Sequence, residues 1–377
     1  MRRLLLLLAA FTALACGQTR KGETLYEVRE RVYDLAKVQA VYMDSLLTAG
    51  QCPRTFQGDT LVTSDIGWWC SGFYPGVLWQ IYEETGDSLF RKLAEKHTFP
   101  LSGLLNRETD HDIGFQLMSS FGRMEDSLSD SVLTRGAAKL AARFVPEAGV
   151  IRSWNFGPWN IPVIIDNMMN LDLLMVYGDR SVAEEHALTT MKNHFREDGT
   201  TFHLIDYADD GTVLGQQTVQ GYADDSAWAR GQAWALYGYA MMAERERATG
   251  NVEMELTFRR VAWKLESWLL ENLPEDGIPY WDFSQNDYKD ASAAAIIACG
   301  LLKMWKLNGA APDDPTWVRA WRIIETLASP EYLAEPRTNG GFLLKHSVGN
   351  LPSRSEVDVP LTYADYYFLE ALSLLSH

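Results

Sequence analysis

At 377 residues, 47% hydrophobic and 22% charged, the chain has ample material for a large core and the composition of a globular protein. Its formal net charge of −16 argues against nucleic acid and anionic lipid surfaces as general partners. The 4 cysteines include neither a CxxC nor a Cys/His cluster at zinc spacing, which argues against a structural zinc site.

The first segment, "MRRLLLLLAAFTALAC", reads as an export signal. Arg2 and Arg3 form its charged region and Leu4–Phe11 its apolar run, with small residues before Cys16. The run is too short to span a bilayer. "ALAC" resembles the lipobox of bacterial lipoproteins, with Ala13 in place of the usual Leu. That resemblance implies a signal peptide over residues 1–15, cleavage before Cys16 and lipidation of Cys16. It further implies an exported, periplasmic lipoprotein that touches the membrane only through this anchor, with 16–24 as a short linker. A plain secretory peptide is the alternative. Loss of Arg2 and Arg3 takes the net charge from −16 to −18. Cys52, Cys70 and Cys299 remain; a Cys52–Cys70 disulfide is compatible with export, but the odd count leaves it open.

Beyond the linker, helical periodicity recurs in two alternating forms. Charged, amphipathic stretches cover 25–47, 88–97, 131–144, 181–196, 253–273 and 316–329. Between them lie stretches rich in small, aromatic and apolar residues, at 71–86, 111–123, 161–178, 226–244, 291–305 and 361–375. A helix with one apolar stripe suits an outer layer, whereas one apolar on most sides must be enclosed. The alternation predicts an all-α (α/α)6 barrel, a toroid of six helical hairpins, as a single domain over 25–377. No stretch carries the hairpin signals of a sheet protein. Pro162 is expected in the first turn of the third inner helix. The long inserts 203–225 and 276–290 precede inner helices and should rim one mouth of the ring.

Polar groups and tryptophans gather where the inner helices begin. Asp112 lies in "HDIGF", Asp166 in "IPVIIDN", and "SAWARGQAWALYG" supplies Trp228, Arg230, Gln232 and Trp234. His203 and Gln220 precede that helix, and "GWWCSGFYPG" adds Trp68 and Trp69. Each has a structural explanation taken alone: a tryptophan as core filler, an arginine as a cap or an ion-pair partner. Together they describe a site for an acidic sugar. Indole faces bind the apolar faces of sugar rings, and an arginine fork suits a carboxylate. Two aspartates sharing a pocket push at least one pKa upward, giving a carboxyl that can deliver a proton near neutral pH.

"HDIGF", "IIDNMMNLDLL", "QGYADDSAWARGQAWALYG" and "EVDVPLTYADYYFLEAL" together resemble the unsaturated glucuronyl hydrolases, family 88 of the glycoside hydrolases. The resemblance runs from "GWWCSGFYPG" to the end and implies the same (α/α)6 barrel. It implies substrates left by polysaccharide lyases, carrying a 4,5-unsaturated uronic acid at the non-reducing end, and a reaction with no metal or organic cofactor. By motif, Asp166 matches the general acid/base and Asp112 the second essential aspartate. His203, Gln220, Trp228, Arg230 and Trp234 match pocket residues around the unsaturated uronate. Trp69 matches a pocket tryptophan, with Trp68 beside it as the alternative, and Trp154 is placed against the adjoining sugar. Asp172, six residues past Asp166, falls roughly opposite it in helical angle. The segment 345–360 is expected to close part of the mouth, where Lys345, His346 and Arg354 read as solvated charges. Rival readings are an unsaturated rhamnogalacturonyl hydrolase with the same chemistry, a non-catalytic glycan-binding lipoprotein, and an inverting glycosidase on saturated substrates.

Overall fold

The computed structural model describes residues 22–311 and 313–375. The segment 1–15 read as a signal peptide and the lipidation candidate Cys16 lie outside the described residues. Twelve α-helices occur among the described residues, and they alternate in position as in sequence. The inner ring is α2 (Phe73–Thr85), α4 (Ile113–Met118), α6 (Asn167–Tyr177), α8 (Ala229–Thr249), α10 (Ala291–Leu307) and α12 (Thr362–Leu374). Outside them lie α1 (Leu25–Leu46), α3 (Ser88–Thr98), α5 (Ser127–Ala141), α7 (Arg180–Asn193), α9 (Val252–Asn272) and α11 (Pro315–Leu327). From α4 to α12 successive inner helices pack side by side, Phe73 of α2 meets Phe115 of α4, and α12 returns against α2 to close the ring.

The two ends of the barrel are built differently. Three inner helices turn into their outer partners through a glycine followed by Asp or Asn: Gly86-Asp87, Gly178-Asp179 and Gly250-Asn251. The Asx side chain at each turn caps the next helix by accepting a backbone N–H. Gly86 and Gly250 adopt the left-handed conformation that ends a helix. Long connections run at the opposite end, where every inner helix starts. Function sits among those connections.

Glycines set the closeness of the inner ring. A Cβ on Gly114 of α4 would lie 2.6 Å from Asn170 Cα of α6, and one on Gly238 of α8 would lie 2.6 Å from Met168 Cβ. An alanine at 114 would have to push α4 off α6, and with it the two residues that immediately precede these helices, Asp112 and Asp166.

Among the described residues, nine short strands form four small antiparallel sheets, all in the connections. They correct the expectation of a chain without hairpins. The third inner helix also starts later than its periodicity predicts. Ile161–Ile164 is a strand, β5, paired with β6 (Leu204–Tyr207), which pairs in turn with β7 (Val213–Gln217). Pro162 therefore lies in an edge strand, where its missing N–H costs no ladder bond, and not in a helical turn. The β-branched run Ile161, Val163, Ile164, Ile165 fits a pleated surface better than a first helical turn. Val163, Ile205 and Tyr207 of this sheet form a small core of their own beside the main one. Cys52, Cys70 and Cys299 are buried free thiols.

Candidate active site

Asp112 and Asp166 occupy the residues immediately before α4 and α6, at the mouth end of neighbouring inner helices. Neither side chain caps its own helix, so both carboxyls are turned to other work. Burial raises the Asp166 carboxyl to about 7, against the pull of Arg230, a backbone N–H and the Trp234 indole. Its Oδ2 is buried with no hydrogen-bond partner. Burial, then the charges of Asp110 and Asp166, hold Asp112 well above the usual carboxylate range. Asp172 points elsewhere: it holds Arg245 at 2.6 Å, lining a cavity of about 350 Å³ with Arg123 and Lys303, away from this mouth.

Each aspartate faces a neutral histidine. His203 Nε2 lies 3.6 Å from Asp166 Oδ2, and His111 Nε2 lies 3.5 Å from Asp112 Oδ1. His203 Nδ1 accepts the Val219 N–H at 3.1 Å, which puts the ring proton on Nε2, toward the carboxyl. Asn170 does the same for His111. Its Oδ1 accepts the Phe115 N–H at 2.7 Å, so its amide group faces His111 Nδ1 at 3.4 Å. Burial holds both rings' pKa down to about 3, with Arg230 adding to the effect at His203. These rings stay neutral donors at any pH where Asp166 titrates.

Trp234 is fully buried against Phe115 and Tyr367, at ring separations of 5.0 and 5.3 Å. Its Nε1–H makes no bond of good geometry but faces Asp166 closely enough to favour the ionised carboxyl. Trp228 lies between the His203 ring at 4.5 Å and the Arg230 guanidinium at 4.5 Å. The two adjacent tryptophans near residue 69 separate clearly. Trp69 packs on Tyr363 and Phe115 inside the barrel, while Trp68 is exposed beneath Arg54, 3.9 Å above its ring. Trp154 is half-buried 6.4 Å from the His111 ring, with its Nε1 buried and unpartnered. Gln232 serves the framework, accepting the Thr201 N–H at 2.8 Å.

Arg230 is more committed than its sequence context suggests. Only 1% exposed, it donates to Asp290 Oδ2 at 3.2 Å and to the carbonyls of Val348 and Gly349. Those carbonyls belong to β8 (Ser347–Asn350), which pairs with β9 (Ser355–Val359). Gln220 Nε2 donates to the same Gly349 carbonyl at 3.2 Å. On the far side, Glu356 of β9 holds Arg54 at 2.8 Å. The hairpin thus roofs the mouth, fastened at both edges. His346 pairs with Asp358 at 2.6 Å, and Lys345 Nζ donates to the Pro330 carbonyl at 2.8 Å. The Nε–H of Arg230 and one of its two Nη2–H groups stay outside these bonds.

Sequence reasoning missed Asp290, Tyr363 and the orienting Asn170. Asp290 does carry a signal, since Asp-x-Ser before an apolar run marks a helix cap, and its Oδ1 accepts from Ser292 and Ala293. Its bond to Arg230 links residues 60 apart in the chain and leaves no local trace. Among the described residues, no group of three or more His, Cys, Asp or Glu side chains is placed to hold a metal ion.

No family model matches the chain. Among curated proteins it is 40% identical over 328 residues to an unsaturated glucuronyl hydrolase of Formosa agariphila, covering 81% of this chain and 79% of that one. It is 30% identical over 326 residues to an unsaturated chondroitin disaccharide hydrolase of Streptococcus pneumoniae, covering 81% of each. Among solved structures, an unsaturated glucuronyl hydrolase specific for heparin superposes with a TM-score of 0.87 at 39% identity, covering 93% of this chain and 97% of that one. A Bacillus enzyme of the same name superposes at 0.82 with 28% identity, covering 93% and 97%. With this identity over four fifths of its length and this toroid, the chain belongs to the unsaturated glucuronyl hydrolases, a family of glycoside hydrolases.

Proposed function

We propose that the protein removes the 4,5-unsaturated uronic acid from the non-reducing end of glycosaminoglycan-type lyase products, with Asp166 as the proton donor. The observation that carries this reading is the buried Asp166 carboxyl, raised to about 7, with its Oδ2 unpartnered at the barrel mouth. The substrate is an enol ether. The Asp166 proton goes to C4, and the positive charge that develops at C5 is shared with the ring oxygen. Water adds at C5 and returns a proton to the carboxylate. The hemiketal opens by breaking the bond between C5 and the ring oxygen, leaving a C5 ketone and a hemiacetal at C1. Collapse of that hemiacetal expels the neighbouring sugar.

The other residues hold the ring for this step. The neutral His203 Nε2–H steadies the Asp166 carboxylate after it has given up its proton, and Asp112 with His111 grips the sugar's hydroxyls. Trp69, Trp228 and Trp234 wall the uronate; Gln220 and the free Nε–H of Arg230 face its carboxylate; Trp154 takes the adjoining sugar. The relatives' names favour glycosaminoglycan products, and a solved Streptococcus agalactiae variant is a complex with dGlcA-GalNAc6S.

Mixing the protein with unsaturated disaccharides from chondroitin, heparin and rhamnogalacturonan lyases, and following the ultraviolet band of the C4=C5 bond, tests the reading. Loss of the band with a chondroitin or heparin product is the expected result. Decay with the rhamnogalacturonan product alone would move the substrate class, and no decay with any of them would reject hydration. The pH profile adds a second check. The acid form of Asp166 dominates below pH 7 and is lost above it, so kcat/KM should fall about tenfold per pH unit beyond that point. His111 and His203 do not gain protons until about pH 3, so neither adds a limb between pH 5 and 7.

For its location we read residues 1–15 as a lipoprotein signal peptide, cleaved to leave the protein anchored through Cys16, facing the periplasm. Cys16→Ser should move the expressed protein from the membrane fraction to the soluble one, and retention of the variant in membranes would reject the anchor.

A further inference from the structure

The loop 152–160 carries three aromatic rings, and only Trp154 has been given a role. Phe156 stands 69% exposed, the highest exposure among the large apolar side chains on this rim. A lone exposed phenylalanine needs no explanation. This one is not alone. Its ring stacks on Trp154 at 5.4 Å with an interplanar angle of 16°, and Trp159 closes on Trp154 edge-on at 5.7 Å. The rings lead outward in order: His111 beside Asp112, then Trp154, then Phe156.

The loop is built to hold them there. Arg143 donates to the carbonyls of Arg152, Ser153 and Thr109 and to Asn155 Oδ1. Trp159 Nε1 is pinned to Gln217 at 2.9 Å. Gly157, between the aromatics, has φ +84°, and a Cβ there would lie 2.6 Å from the Trp159 ring. The turn therefore requires glycine, and the chain keeps an apolar ring facing solvent in a fixed place. The buried, unpartnered Nε1 of Trp154 adds a donor for a hydroxyl beside the same wall.

We propose that Phe156, stacked on Trp154, is the platform of a further saccharide subsite that receives the second sugar beyond the cleaved bond. The proposal rests on the hydrolase reading above, in which Trp154 takes the first such sugar. A chain leaving the pocket past Trp154 meets the outer face of Phe156 next, and sugar C–H groups pack on an aromatic face whatever their hydroxyl pattern. The subsite is therefore selective for length more than for sugar identity. A solved structure of this fold, at 28% identity and a TM-score of 0.82, is paired with the tetrasaccharide dGlcA-Glc-Rha-Glc, a chain long enough to reach such a subsite.

The test compares KM for unsaturated di- and tetrasaccharides from the same chondroitin digest and the same heparin digest. Both substrates carry the same chromophore and differ in length. In the wild type, KM for the tetrasaccharide should be about 3–10-fold below that for the disaccharide, the range expected of one aromatic stack. Phe156→Ala should bring the ratio to near one, and Phe156→Trp should restore it. Phe156 is exposed on a loop, so these variants are expected to fold, and a thermal melt checks this. A ratio that Phe156→Ala does not change, with normal turnover of both substrates, would overturn the subsite alone. No turnover of either substrate by the wild type would overturn the hydrolase reading and the subsite with it.

Discussion

Asp166→Asn is expected to lower kcat by roughly a thousandfold while leaving KM within about threefold of wild type. The amide matches the carboxyl in shape and still offers an oxygen toward Trp234 and His203, so the sugar is held as before. It has no proton to give C4, and positioned general acids are worth about 10²–10⁴ in rate. Stability separates this outcome from simple damage. Asp166 is protonated in the folded protein up to about pH 7, whereas its carboxyl in the unfolded chain ionises from about pH 4. Across that window the native state binds the extra proton, so each rising pH unit takes up to about 1.4 kcal/mol of stability from the wild type. The asparagine variant does not suffer this loss. It should melt at or above the wild-type temperature at pH 8, with the difference shrinking toward pH 4. A variant that melts normally and still turns over near the wild-type rate would remove Asp166 from the chemistry.

The fold was legible because its signal is local and repeated. Twelve periodic stretches in two compositions announce an enclosed ring and a covering one, and five of the six inner helices begin within three residues of their expected starts. The sixth fails for a physical reason. Residues 161–165 are apolar at every position, so periodicity alone cannot tell a buried helix from a buried strand there. The β-branched run and its partner at 204–207 decided for strand. That shift delivers Asp166 to the position before α6, closer to the mouth than a helix starting at 161 would have placed it.

The candidate site was legible in the placement of its residue types and illegible in its partnerships. Asp166, Asp112 and their tryptophans stand at the starts of inner helices, where a sequence pattern can place them. That each carboxyl faces a neutral histidine could not be read, because the tautomers are set by Val219 and Asn170. Nor could the anchoring of the roof hairpin, which depends on contacts between residues 60 to 302 apart.

That anchoring makes Asp290→Ala the second large effect expected, this time on stability. Asp290 is fully buried and serves three partners at once. Its Oδ2 meets Arg230, and its Oδ1 accepts from the start of α10 and from the Val348 N–H of the roof. Alanine leaves a buried guanidinium without its counter-ion, a loss of about 3–5 kcal/mol. It also removes a helix cap worth about 1 kcal/mol. For a domain of this size the melting temperature should fall by about 4–8 °C. Asp290→Asn, which keeps the oxygen that caps α10 and accepts from Val348, should recover the capping share and leave the charge loss. With the counter-ion gone, Arg230 also acts more strongly on Asp166, the carboxyl whose pKa it already draws down. The fall in kcat/KM should then move below pH 7 in Asp290→Asn, at a temperature where the variant remains folded. Unchanged melting in both variants would mean that the roof is held without the pair. An unmoved pH limb beside a clear loss of stability would confine Asp290 to the framework. A shift in both would show that one buried carboxylate fastens the roof and helps to set the acidity of the proton donor beneath it.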